Sequence, residues 1–131
     1  MKQITSIVLA VTKNGAPLYQ SQRLSISRDG IVEQTLTPMV YLGSAKTYEI
    51  EIQEEDAAEF LDSINPDNFV INQSAKLFSS SFWSLDIYYD DDSVISKSGS
   101  LVDLKDENLI KFDNDILNLI PFTEKPYLFT D

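Results

Sequence analysis

The hydrophobic period of this chain changes at Glu54, and that change restricts its fold more than any other feature. Before Glu54, apolar residues alternate with polar ones, the period of strands with one buried face. Ile7, Leu9 and Val11 share one parity. Leu18, Leu24 and Ile26 share another, with Arg23, Ser25 and Ser27 opposite. A third run covers Ile31 to Thr37 and stops at Pro38, and Tyr48, Ile50 and Ile52 form a fourth with Glu49 and Glu51 on its other side. Asn14-Gly15 and Arg28-Asp29-Gly30 supply turns, because glycine tolerates the positive φ that tight hairpins need. From Glu54 onward, Ala57, Phe60, Leu61 and Ile64 fall on one stripe of a helix over residues 54–64. Glu54, Glu55 and Asp56 occupy its first turn, where carboxylates suit the helix dipole, and Asn65-Pro66 stops it.

Residues 65–81 are polar and aperiodic and read as a long connection. The strand period then returns, with Trp83, Leu85, Ile87 and Tyr89 on one face and Phe82 and Tyr88 on the other. Asp90, Asp91, Asp92 and Ser93 turn the chain into a short partner strand at 94–98. Phe112, Ile116, Leu119 and Ile120 mark a second helix, with Asp113 and Asp115 in its first turn and Pro121 at its end. The tail 122–129 is too apolar to be loose and is expected to pack back onto the sheet. Together these elements predict an α+β fold: an antiparallel sheet of about six strands with two helices packed on one face. The chain of 131 residues, without repeats or linkers, fits a single domain spanning 1–131. Ile7/Leu9/Val11, Tyr48/Ile50/Ile52 and Trp83/Leu85/Ile87/Tyr89, together with Phe60, Leu61, Ile64, Phe112, Ile116 and Ile120, are the expected core.

Several chemistries are excluded by missing residue types. The chain has neither histidine nor cysteine, so imidazole bases, thiolate nucleophiles, disulfides, iron–sulfur clusters and cysteine zinc sites are ruled out. The opening holds only a short apolar run, below the 7–15 or so residues of a signal peptide and the roughly 20 of a membrane span. A cytoplasmic location without membrane association is the expectation.

Charge is distributed unevenly. Residues 1–48 carry five bases and two acids, a net of +3, whereas residues 49–131 carry five bases and 19 acids, a net of −14. Residues 49–67 alone hold eight acids and no base. Such a surface repels nucleic acid directly and favours a basic protein partner, such as a nuclease or another nucleic-acid-binding protein.

Acid-rich turns invite a metal reading, but the spacing fails. Asp113-Asn114-Asp115 with Glu124 would place Leu117 and Asn118 where a calcium loop needs a ligand and a glycine, and a loop starting at Asp90 would end on Leu101. Magnesium on Asp90–Asp92 would lack a phosphate-binding glycine loop beside it. Lys97-Ser98-Gly99-Ser100 lacks the leading glycine of a nucleophile elbow. Paired carboxylates could work as acid and base only if one were buried enough to raise its pKa. No metal, cofactor or catalytic residue is therefore expected. The candidate partner-binding residues are Glu54, Glu55, Glu59 and Asp62 on the first helix, extended by Asp90, Asp91 and Asp92. Glu55, Glu59 and Asp62 recur at i, i+4 and i+7, a row of carboxylates able to imitate the phosphates of duplex DNA.

The block Trp83-Ser84-Leu85-Asp86-Ile87-Tyr88-Tyr89-Asp90-Asp91, followed by Ser98-Gly99, resembles a group of small acidic proteins of unknown function from Gram-positive bacteria and their mobile elements. That group carries a W-x-L-x-I-x-Y-x-D-G hairpin, then a glycine and a final helix. This chain departs from it at Asp92, where the group has glycine. The element order is also similar to emfourin-type protein inhibitors of metalloproteases. A small, acidic, cofactor-free domain of this kind is expected to be a non-catalytic protein-binding module that inhibits or sequesters a partner by occupying its basic surface, as anti-defence, anti-CRISPR or immunity-type proteins do. A housekeeping domain whose charge serves only solubility is one alternative, and a carboxylate-based hydrolase with an unlocated site is another.

Overall fold

The predicted alternation builds six strands: β1 (Ile4–Thr12), β2 (Ser21–Ser27), β3 (Ile31–Thr37), β4 (Lys46–Glu51), β5 (Phe82–Tyr89) and β6 (Val94–Ser100). The structure, a computed structural model, describes residues 2–13, 21–38, 43–69, 82–100, 107–124, 126, 128 and 129. The six strands form one antiparallel sheet in the order β4-β3-β2-β1-β5-β6. The first four make a meander of adjacent strands. β5 then joins the free side of β1, so the first strand becomes central and the chain must cross back over one face of the sheet. The helix α1 (Glu54–Asp62) lies on that crossing, and α2 (Glu107–Leu119) follows β6.

Register decides which parity is buried. Ile7 sits opposite Ile26 and Ile87, and Leu9 opposite Leu24 and Leu85, all fully buried. Phe60 and Leu61 of α1, with Leu109, Phe112 and Ile116 of α2, cover this layer in one shared core, and Ala57 of α1 is buried as well. The α+β architecture is thus the one read from the sequence. The tail also packs inward, with Leu128 and Phe129 buried.

An aromatic cluster joins the layers. Phe69 lies edge-on to Phe112 at 5.1 Å between ring centroids and also meets Phe129 and Trp83. Trp83 is fully buried and pairs in register with Gly99 of β6. A Cβ at Gly99 would stand 3.0 Å from the Trp83 Nε1, so the glycine makes room for the indole. Phe69 belongs to the stretch expected to be a polar connection. The local structure there is a short 3-10 turn, Pro66–Asn68, whose preceding Asn65 side chain accepts from the Asp67 amide at 3.1 Å. That turn delivers Phe69 to the core.

Three expectations need correction. α2 starts at Glu107, well before Asp113, so Asp113 is not a first-turn acid. It is 2% exposed, and its Oδ1 accepts the Phe129 amide at 3.1 Å, anchoring the tail. Tyr48, Ile50 and Ile52 are only half-buried, because β4 is an edge strand with a neighbour on one side; Ile64 and Tyr89 are likewise half-buried. β6 extends to Ser100, beyond the expected end at 98. The Asn14-Gly15 turn, Leu18, loop positions 39–42 and connection residues 70–81 lie outside the described residues.

The two described hairpin turns solve one problem with different residues. Between β2 and β3, Gly30 takes φ 89° and its amide donates to the Ser27 carbonyl at 3.0 Å. Between β5 and β6, Asp92 takes φ 66°, its amide donating to the Tyr89 carbonyl at 3.1 Å, while the Tyr89 amide donates to the Ser93 carbonyl at 3.0 Å. Both have the three-residue loop in which a type I turn ends on a left-handed residue. Glycine is obligatory only at the first, where a Cβ would stand 2.3 Å from the Ile52 carbonyl oxygen.

Candidate functional site

The acids singled out in the sequence divide according to what they touch. Asp62 binds the guanidinium of Arg28, whose Nε also donates to the Ile4 carbonyl at 2.8 Å. This pair ties the end of α1 to the β2–β3 turn and to β1, and the Arg28 hydrogen bond holds the Asp62 carboxyl below the ordinary carboxylate range. Asp90 Oδ1 accepts the Gln3 amide at 3.2 Å. Asp91 accepts from the amide and hydroxyl of Ser93 and lies 3.7 Å from the Lys2 ammonium. These Ser93 hydrogen bonds, with Lys2 beside them, lower the Asp91 pKa. Asp62, Asp90 and Asp91 are therefore engaged by neighbouring side chains and backbone at one end of the sheet. Arg28 and Lys2 stand among them, so this end of the sheet carries cations beside its acids.

Glu54, Glu55, Asp56 and Glu59 differ from these. All four are exposed, and among the described residues none has a side-chain hydrogen bond or ion pair. The first three have a local reason to be acidic. Gln53, which precedes the helix, gives no side-chain cap, and carboxylates near the exposed N–H groups compensate through the dipole. Glu59 has no such reason. It lies one turn beyond Glu55 and Asp56, a spacing at which like charges repel.

Asp62, although one turn beyond Glu59 on the same helix, is engaged by Arg28 and takes no part in the groove that Glu59 lines. Asp56, Glu59 and Ser63 line the α1 side of a groove between the helices. Lys111, Asp115 and Asn118 line the α2 side, and Phe60 and Leu119 lie along its bottom. Its volume is about 490 Å³. Lys111 is bound to Asp115 at 2.7 Å within α2, a pair spaced i, i+4, so the groove's unbalanced charges are those of Asp56 and Glu59. A narrower recess of about 50 Å³ adjoins it, sharing Ser63, Lys111 and Asp115 and lined further by Asn65, Asn68, Asn108, Phe69 and Phe112.

Sequence reasoning named Glu59 but missed Asp56 and the α2 wall as members of one site. Lys111, Asp115 and Asn118 recur at i, i+4 and i+7 along α2, which could have been read as a polar stripe beside the apolar one. What sequence could not give is which helix that stripe faces.

Among the described residues, no three acidic side chains gather in a way that could hold a metal ion, and no helix is long and apolar enough to cross a membrane. Comparison with protein families, with curated proteins and with solved structures finds no match to this chain.

Proposed function

We propose that this protein is a non-catalytic binding module whose helical layer engages a basic surface of another protein, inhibiting or sequestering it. The observation that carries this is the pair of exposed, uncompensated carboxylates, Asp56 and Glu59, set over an apolar-floored groove beside Glu54 and Glu55. Such charge attracts a cationic partner over about a Debye length, roughly 8 Å at physiological salt. A nuclease or another nucleic-acid-binding protein fits that chemistry, since its binding channel is built to meet rows of anions. The overall charge of −11 opposes direct contact with nucleic acid. A carboxylate hydrolase would use the same groove, but acid–base work needs one carboxyl shielded from water. Asp56 and Glu59 are exposed, and Asp115 is bound to Lys111.

The test uses paired baits in the producing cell's lysate. Wild-type protein is compared with Glu54→Lys/Glu55→Lys/Glu59→Lys, and with Glu33→Lys/Glu49→Lys/Glu51→Lys on the opposite face of the sheet. A basic protein held by the wild type and the sheet-face variant, absent from the helix variant, and released by about half-molar salt is the expected result. Identical retention by all three baits, insensitive to salt, would overturn the proposal.

A further inference from the structure

We infer that the α1–α2 groove receives an arginine-bearing, amphipathic segment of the basic partner, a specification that rests on the function proposed above. Four features favour this occupant. The groove is an open trough of about 490 Å³ between the two helices, wide enough to admit a side chain from another molecule. Asp56 and Glu59 supply carboxylate acceptors on one wall. The bottom is apolar, formed by Phe60 and Leu119, and suits the aliphatic stem of an arginine with its guanidinium at the rim. Lysine would bring a point charge that is more strongly hydrated and less suited to an apolar floor. Finally, Lys111 is paired with Asp115, so the groove offers an anionic ligand no uncompensated cation, which disfavours phosphate or carboxylate ligands.

Two short synthetic peptides of equal length and net charge test this, one alternating arginine and leucine, the other lysine and glycine. Each is titrated into the isotopically labelled full chain while amide NMR shifts are followed. The arginine–leucine peptide should saturate, with shifts centred on residues 56–63 and 111–119, and should bind at least roughly tenfold more tightly than the lysine–glycine peptide. Asp56→Asn/Glu59→Gln should weaken it by roughly tenfold or more, the loss expected for one charge-assisted hydrogen bond. Glu33→Gln/Glu49→Gln, an equal charge change on the far face, should leave it unaltered. Thermal melts of both variants should stay near wild type, since all four side chains are exposed. Equal affinity for the two peptides, with shifts spread over every acidic turn, would overturn the groove while leaving a diffuse acidic binding face intact. So would a double groove variant that binds as well as wild type. Absence of saturable binding, alongside a partner captured by the paired baits, would likewise reject the groove alone.

Discussion

Trp83 and Phe82 are neighbours on β5, yet the first is fully buried and the second 52% exposed. The whole sheet divides the same way. One face carries Ile7, Leu9, Leu24, Ile26, Leu85 and Ile87 beneath two helices and the tail. The other presents Ser25, Glu33, Thr35, Thr47, Glu49 and Asp86, with Phe82, Tyr88 and Val94 exposed among them. Antiparallel sheets tolerate this because strand pairing satisfies the backbone on both sides, leaving one face to meet water. Glu33 and Glu49 stand directly opposite one another on that wet face, an arrangement tolerable only where solvent screens it. Stability is therefore concentrated in one parity, and the exposed acids add little to it.

The sharpest way to break this comparison is to truncate both aromatics. Trp83→Ala should cost about 3–5 kcal/mol, and Phe82→Ala less than about 0.5 kcal/mol, in denaturant unfolding. Similar losses would mean that something covers the open face. The next contrast is between the two turns. Gly30→Ala must relieve both a φ of 89° and the close approach to the Ile52 carbonyl, and should cost about 1–3 kcal/mol. Asp92→Gly should instead be neutral or stabilising by under about 1 kcal/mol, since it relaxes a left-handed residue where no backbone approach demands a choice. A thermal melt lowered by the second change would show that the Asp92 side chain contributes to the turn.

A third contrast lies within α2. Asp113→Ala strands the Phe129 amide without this acceptor in a buried position and should cost about 1–3 kcal/mol. Asp115→Ala loses only an exposed i, i+4 pair, worth about 0.3–0.5 kcal/mol. Hydrogen exchange would report the difference as faster exchange in residues 128–129 for the first variant alone.

The smallest effect concerns pH. Ser27 hydrogen bonds Asp29, Arg28 binds Asp62, and Ser93 binds Asp91, and each contact lowers its carboxyl's pKa. A group whose folded pKa is depressed binds its proton more weakly in the folded state. Its contribution is therefore complete above the ordinary carboxylate value of about 3.9 and is lost as pH falls through the lowered folded value. Melting temperature should decline below about pH 4, and Asp62→Asn should flatten part of that decline. A decline unchanged in Asp62→Asn would assign it to other carboxylates.

Much of the architecture was legible in the order of residues. Period-two runs gave the strands, the stripe Ala57/Phe60/Leu61 gave α1, and glycine in Arg28-Asp29-Gly30 gave a turn, because each depends on neighbours in sequence. Phe69 was not legible, since its own segment is polar and only Trp83, Phe112 and Phe129, all distant in the chain, give it a place. Asp113 was misplaced for a related reason. An acid on a helix is exposed by default, and burial became tolerable only when the tail returned with an amide to donate.

The acidic candidates show the same division. Sequence alone determined that the second part of the chain is acidic, that α1 begins with three carboxylates, and that neither histidine nor cysteine chemistry is available. The tertiary structure decided which acids remain available. It brought Arg28 to Asp62 and Lys2 to Asp91 across long stretches of chain, and set Asp56 and Glu59 opposite Asp115 across a groove. Charge is a property of composition, but whether a charge is compensated depends on distances of a few ångströms, and only packing sets those.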